Sequence, residues 1–480
     1  MLCTAFAAGP VIDIGSQREL FVDRFLIESL SGAELRLQTP VEKEIAMQFS
    51  EAWEGPFSGY VTVIRDGALY RLYYRGVSGN QIAGRPETLT CYAESTDGIH
   101  WQKPKLGLIS VGGSTQNNVI LSDTDYASDF TPMLDGNAHA DPKYRFKALA
   151  GSTTTGLFAF GSGDGIHWTK MQADAVMAPS KPPSKAVMYD SQNVSFWSET
   201  EGRYVSYFRT YKSIPGMGPV RWISRTTSDD FIHWVPYDEM SFGNAAPEHL
   251  YVNQTSPYFR APHLYVSTSV RFTPNRRVLS AEQAAAIGVN KDFYGETTDV
   301  VLMTTRGGTS YDRTFLESFL RPGLGDSNWT SRTTYPALNI VQTGPTEMSF
   351  YANRDYAQST SHLRRYALRL DGFSSVHAPF AGGEMRTRPL KFSGGALEIN
   401  YSTSGAGSVR VEVQSDTGKP LPGFALEDCR EIVGDRVSHI VKWKPDSNLS
   451  KLAGTAVRLR FVMKDADLYA IRFIEEGTAK

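Results

Sequence analysis

The 480-residue chain is too long for one ordinary hydrophobic core, so two domains are expected, one of them large. Its 25 Phe, 23 Tyr and 8 Trp, punctuated by 42 Gly and 25 Pro, favour many short strands over long helices. A formal net charge of −2 without any run of Lys or Arg leaves no electrostatic footprint for a nucleic acid or an anionic membrane.

From the N-terminus, residues 1–10 begin Met-Leu-Cys-Thr-Ala-Phe-Ala-Ala and read as the remnant of a signal peptide, which implies a secreted or periplasmic protein. No segment approaches the roughly 20 apolar residues that span a bilayer, so no membrane insertion is expected. Cys3, Cys91 and Cys429 are odd in number and far apart, which suggests neither a disulfide framework nor a zinc site.

The strongest signal is an internal repeat. Ser95-Thr-Asp97-Gly98-Ile-His-Trp101 returns as Ser162-Gly-Asp164-Gly165-Ile-His-Trp168 and as Ser228-Asp-Asp230-Phe231-Ile-His-Trp234. A worn copy follows at Thr305-Arg-Gly307-Gly308-Thr-Ser-Tyr311. The starts at 95, 162, 228 and 305 are 67, 66 and 77 residues apart, and each copy follows a strand-like run. Asp suits the centre of a tight turn because it accepts backbone amide protons, and the closing Trp packs between sheets. Tight turns at this spacing predict radially repeated four-stranded sheets, and the Asp and Trp of the turns read as scaffold.

Strand pairs lie between the turns. Gly59–Asp66 with Leu69–Arg75, Asn193–Trp197 with Arg203–Arg209, and Pro257–Phe259 with His263–Val270 belong to the first, third and fourth units. Thr346–Tyr351 with Leu363–Arg369 reads as a fifth, closed by an outer strand from Glu19–Asp23. Leu279–Ile287 predicts a helix, with Ser280 as N-cap, Gln283 three residues on, and Gly288 at its end. After Asp371 the strands alternate apolar and polar residues between short turns, as a β-sandwich does. The predicted fold is all-β: a five-bladed propeller over residues 11–371, then a β-sandwich over 372–480. Six blades is the rival count.

In such a ring the starts of the innermost strands meet around the central channel, so carboxylates there are the catalytic candidates. Asp190 and Glu248 head the third and fourth units, Glu347 the fifth, and Glu54 the first. The second unit offers Asp129 and Asp135, of which Asp135 is preferred. Acids that converge on one pocket split their pKa values, which leaves one protonated as general acid and another ionised as base or nucleophile. Arg75, Arg209 and Arg271 are placed to grip a carboxylate or sulfate. Trp53, Asn193, His249 and Tyr351 are candidate sugar contacts, as is His263. No nucleophile elbow, phosphate loop, dinucleotide fingerprint or HExxH helix is present in the sequence.

The Ser-x-Asp-Gly-x-x-Trp turns, with Asp190-Ser-Gln-Asn-Val-Ser-Phe-Trp197 followed by Gly202-Arg-Tyr-Val-Ser-Tyr207, resemble the five-bladed propellers of glycoside hydrolase families 32 and 43. The opening Glu19-Leu-Phe-Val-Asp23-Arg-Phe-Leu-Ile27 and the trailing sandwich are similar to family 32 chains. The resemblance implies the fold and a hydrolase that cleaves glycosidic bonds in a polysaccharide or oligosaccharide. The placement of the acids at the strand starts, not the resemblance, gives Glu248 as acid and Asp190 as base or nucleophile, with Asp135 and Glu347 setting pKa or gripping hydroxyls. A furanose or a decorated, anionic sugar is the expected substrate. The Trp-x-Asn-Asp-Pro-Asn-Gly segment of family 32 is not reproduced, Trp53-Glu54-Gly-Pro being its nearest counterpart. Family 43 would place its acids in blades one to three, whereas the candidates here favour blades three to five. The alternative from another class is a non-catalytic, glycan-binding propeller at a cell surface. No cofactor is expected; a calcium ion in the channel and the oligomeric state are left open.

Overall fold

The computed structural model describes residues 10–82, 85–179, 188–289, 291–444, 448–475 and 477. The segment read as a signal-peptide remnant therefore lies outside the described residues, apart from Pro10. The chain divides into two compact units, Pro40–Ala367 and a second one made of the residues up to Thr39 with Leu368–Lys480.

The Pro40–Ala367 unit contains five four-stranded antiparallel sheets. Blade one runs Gly59–Asp66, Leu69–Ile82, Arg85–Ser95, Val119–Leu121. Blade two runs Thr131–Leu134, Phe146–Ser152, Gly156–Ser162, Thr169–Lys170. Blade three is Val194–Ser198, Arg203–Ile214, Gly218–Ser228 and Asp238–Glu239. In blade four His249–Leu250 and Thr255–Tyr258 both pair with Ala261–Thr273, which in turn pairs with Thr297–Thr305. Blade five consists of Val341–Gln342, Glu347–Arg354, His362–Arg369 and Val41–Gln48. The inner strands of blades five and one meet in parallel at Leu338 and Thr62, which closes the ring.

Blade five departs from the expectation in two ways. Its inner strand is the stretch leading to Gln342, already bridged to the next strand at Pro336 and Ala352, so Thr346–Tyr351 belongs to the second strand. Its outer strand is Val41–Gln48. Glu19–Leu20 instead pairs with Ile471 and Ala470. Strands Ile12–Gly15, Ile27–Ser31 and Glu34–Leu37 likewise pair with C-terminal strands, so the propeller does not begin at residue 11.

The repeated turn works as expected. The Asp97 carboxylate accepts from the Ile99 and His100 amides at 2.7 and 2.9 Å, and Ser95 Oγ accepts from Gly98 N at 2.9 Å. Asp164 and Asp230 repeat this pattern. Gly98 and Gly165 sit at φ +72° and +78°, and Phe231 occupies the same conformation at +70°. Each of the first two turns is also stitched to the preceding blade: Tyr73 Oη donates to the Gly165 carbonyl at 2.9 Å, and Tyr351 Oη donates to that of Gly98.

Across the channel the blades are joined by two buried amides. Gln192 of blade three donates to Thr62 Oγ1 at 3.1 Å and the Val61 carbonyl at 3.3 Å in blade one. Gln254 of blade four donates to Gln192 Oε1 at 2.6 Å and to the Pro336 carbonyl of blade five at 2.9 Å. Both glutamines are buried. Beyond them, toward the ends of the inner strands, lies a cavity of about 460 Å³ bordered by Arg65, Met133, Trp197, Phe259 and Leu338.

In the second unit the long strands Ala396–Ser415 and Val457–Ile474 pair along their lengths, with a register break between Thr403 and Ser408. Leu397, Ile399 and Tyr401 before the break share one apolar core with Val409, Val411 and Val413 after it. The sheet thus folds over itself as a sandwich. The helix Ala281–Ala286 carries the expected Ser280–Gln283 capping box. Cys91 and Cys429 are free and buried.

Gln192→Ala removes the centre of the cross-channel network and leaves Gln254 without its side-chain acceptor. It should lower stability by about 2–4 kcal/mol in urea unfolding, and an unchanged midpoint would show that the network does not hold the ring.

Candidate functional site

The starts of the inner strands form one mouth of the channel, and each blade contributes to it. Blade one supplies Tyr60, blade two Asp129, blade three Asp190, blade four Tyr251, and blade five Arg332 and Tyr335. Arg75, Arg209 and Arg221 come from the second and third strands of blades one and three.

Asp190 follows Tyr189, whose φ of +63° turns the chain at this point. Asn193 holds the loop by donating to the Ser191 and Tyr189 carbonyls at 3.0 and 3.3 Å. The Asp190 carboxylate is ion-paired to the fully buried Arg209 while its own side chain stays 54% exposed. Asp129 is its opposite: buried, with a bond from Ser128 Oγ at 3.2 Å. Burial pushes its pKa up to about 7; the Asp190 charge adds to the rise, and Arg75 and Arg209 oppose it. Two neighbouring carboxyls thus sit in contrasting environments.

Aromatic rings surround the guanidiniums. Arg75 lies 4.3 Å over Tyr60 and donates to the Phe57 carbonyl and Tyr356 Oη at 3.0 and 3.1 Å. The Arg209, Arg221 and Arg332 guanidiniums lie 4.5, 4.8 and 5.4 Å from the single ring of Tyr251. Tyr335 lies 5.4 Å from Tyr251 and stacks on Tyr60 at 6.1 Å. Burial, then the neighbouring Tyr251, raises the Tyr60 and Tyr335 phenols well above their ordinary range.

Asp190, Arg75 and Arg209 are brought together at the mouth, with Asn193 beneath them. Glu248 lies at the same end of blade four, yet its two oxygens accept from Arg271 at 3.0 Å and Arg313 at 2.9 Å. Arg271 also grips Asp299 bidentately, at 2.9 and 2.6 Å. His249 Nδ1 accepts the Arg221 amide proton at 3.2 Å, and burial, then Arg221, lowers its pKa.

Asp135, Glu347, Glu54, Trp53 and Tyr351 are not at the mouth. Asp135 follows the end of its inner strand, where Lys147 and Tyr204 hold it at the far rim. Glu347 starts a second strand, at the hairpin from the inner one, and pairs with Arg365 at 2.7 Å. Glu54 is buried with Lys103 at 2.7 Å and Tyr74. Trp53 Nε1 donates to Asn118 at 2.8 Å, and Tyr351 is fully occupied in the stitch to Gly98. The sequence reading preferred Asp135 to Asp129 and overlooked Tyr60, Tyr251, Arg221, Arg332 and Tyr335. Arg332-Thr-Thr-Tyr335 precedes an inner strand that Pro336 conceals. Among the described residues no cluster of three or more His, Cys, Asp or Glu side chains is placed to hold a metal ion, and no helix is long and apolar enough to cross a membrane.

No protein-family profile and no curated protein matches the chain. Solved structures similar to it include a glycoside hydrolase at 10% identity and TM-score 0.46, over 69% of this chain and 92% of the other. A family 43 arabinoxylan arabinofuranohydrolase from Bacillus subtilis is 11% identical with TM-score 0.41, over 91% and 99% of the two chains. A fructofuranosidase from Schwanniomyces occidentalis is 9% identical with TM-score 0.40, over 92% and 100%.

The raised pKa of Asp129 has a consequence for stability. The folded state keeps a proton on Asp129 that the unfolded chain loses near the ordinary value of 3.8. Its contribution is therefore whole below that pH and is lost as pH climbs through about 7. Asp129→Asn should melt at a higher temperature than wild type near pH ~8.5 and lose that advantage near pH ~4.5. A difference in melting temperature that does not vary with pH would contradict the assignment.

Proposed function

We propose that the protein is a glycoside hydrolase that works at this mouth, with Asp129 as general acid and Asp190 as base or nucleophile. The observation that carries the reading is the pair of neighbouring carboxyls, one buried with a pKa of about 7 and one exposed and ion-paired to Arg209. Asp129 donates its proton to the departing glycosidic oxygen as the bond to the anomeric carbon breaks. Asp190 takes the proton from the attacking water, or attacks the anomeric carbon itself before water releases the sugar. Either way one water is consumed, and its elements are divided between the two products. Glu248 does not keep the acid role read from the sequence, because both its oxygens are engaged by guanidiniums. A secreted or periplasmic location suits a polysaccharide or oligosaccharide substrate.

A screen of polysaccharides for released sugar supplies the substrate, and anomeric NMR on a hit decides between the two roles of Asp190. Asp129→Asn and Asp190→Asn should each lower turnover by about 10²–10⁴-fold while the protein stays folded. Wild-type activity should decline above about pH 7 as Asp129 loses its proton. An aryl glycoside whose leaving group needs no protonation should largely restore the Asp129→Asn rate and not the Asp190→Asn rate. Near-wild-type turnover in both variants would refute the assignment.

A further inference from the structure

The mouth carries more positive charge than the proposed chemistry uses. Arg75, Arg209, Arg221 and Arg332 face it, against the carboxyls of Asp129 and Asp190. Asp190 engages Arg209 through one nitrogen, and the other two, Nε and Nη1, are buried without a hydrogen-bond partner among the described residues. Arg209 is only 2% exposed. The Nε atoms of Arg221 and Arg332 are in the same condition, and neither residue has an ion-pair partner among the described residues. The hydroxyl of Tyr335, itself buried, also has no hydrogen-bond partner among the described residues. A guanidinium does not discharge by losing its proton, so buried donors of this kind call for an anion.

We infer that Arg209, Arg221 and Arg332, gathered around Tyr251, form an oxyanion subsite that takes a carboxylate or sulfate group carried on the sugar. The planar fork of each guanidinium matches such a group, and three of them around one ring leave donors in excess of what Asp190 accepts. Arg332 is held at φ +65°, a backbone conformation costly for any residue that carries a Cβ. This subsite deepens the hydrolase reading by naming an anionic glycan as the substrate class, and it rests on that reading only for the glycan's fate.

The test is calorimetric titration of the full chain with methyl glucuronoside, methyl galacturonoside and galactose 6-sulfate, beside their neutral parent sugars and inorganic sulfate. At least one anionic sugar should bind about tenfold or more tightly than its neutral parent, with the difference shrinking as salt is added. Arg221→Met and Arg332→Met should each remove about tenfold of that affinity, and Arg332→Lys should recover only part of it for want of the fork. Wild-type binding tests the inference even if a variant fails to fold. Equal binding of neutral and anionic sugars overturns it, as does binding of inorganic sulfate with no sugar bound. Anionic-sugar binding without turnover of any glycan defeats the hydrolase reading alone. Turnover of neutral glycans with no preference for anionic ones defeats this inference alone.

Discussion

Everything at the mouth depends on two buried amides. Gln192 and Gln254 reach across the channel from blades three and four and bond to backbone and side-chain groups of blades one and five. Ladder hydrogen bonds hold each blade together and join neighbouring blades only at short parallel bridges, Thr62 with Leu338 and Ser241 with Ser310 among the described residues, so the spacing of the inner strands is set largely by other contacts. Apolar packing between sheets supplies attraction without register. Directional hydrogen bonds between buried groups supply register, because a displacement of either amide leaves donors unsatisfied in a dry interior. An amide is also neutral, so this tie does not respond to pH. The groups above it do.

Those groups show how one residue type acquires two chemical characters in one chain. At the outer turns Asp97, Asp164 and Asp230 feel burial as an upward push, but bonds from backbone amides and the neighbouring His outweigh it and hold each carboxyl well below the usual range. At the mouth, no backbone amide among the described residues donates to the Asp129 carboxyl, and burial prevails. The sign of the shift follows from the supply of donors to the carboxylate. Four arginines coexist nearby because tyrosine faces attract the guanidiniums without neutralising them.

Repeats and caps were legible in the sequence because each is a local pattern with a local cause. The Ser-x-Asp turn and the Ser280–Gln283 capping box need only a few consecutive residues to form. The inner strands of blades two and five were harder, being short, containing Pro132 and Pro336, and showing little alternation. Taking the second strand for the first in an antiparallel blade moves a residue from one rim to the other. That single displacement carried Asp135 and Glu347 to the wrong rim and put Asp129 behind Asp135. Val41–Gln48 was missed because its charged residues suit a sheet edge facing water, and Glu19–Leu20 read equally well as a strand for either unit. Arg221 and Arg332 are far apart in sequence, and only closure of the ring makes them neighbours of Tyr251.

Strain is distributed in keeping with this division. Among the described residues, Tyr60, Tyr189 and Arg332 adopt positive φ at the starts of inner strands, in three different blades. Each such residue costs about 1–3 kcal/mol, and none is the glycine that would avoid the cost. At the outer turns glycine fills the position three times, as Gly98, Gly165 and Gly308, and Phe231 takes it once, where its ring packs against Tyr204 and Trp234. The substitution there is offset by apolar contact. At the mouth the strained side chains are a phenol stacked beneath a guanidinium, a ring heading the Asp190 loop, and a guanidinium without an anion. Glycine would relieve all three positions, but it would take the Tyr60 phenol and the Arg332 guanidinium from the mouth and the Tyr189 ring from its packing on Phe208, so the rigidity supplied by the amides beneath is what makes the strained arrangement sustainable.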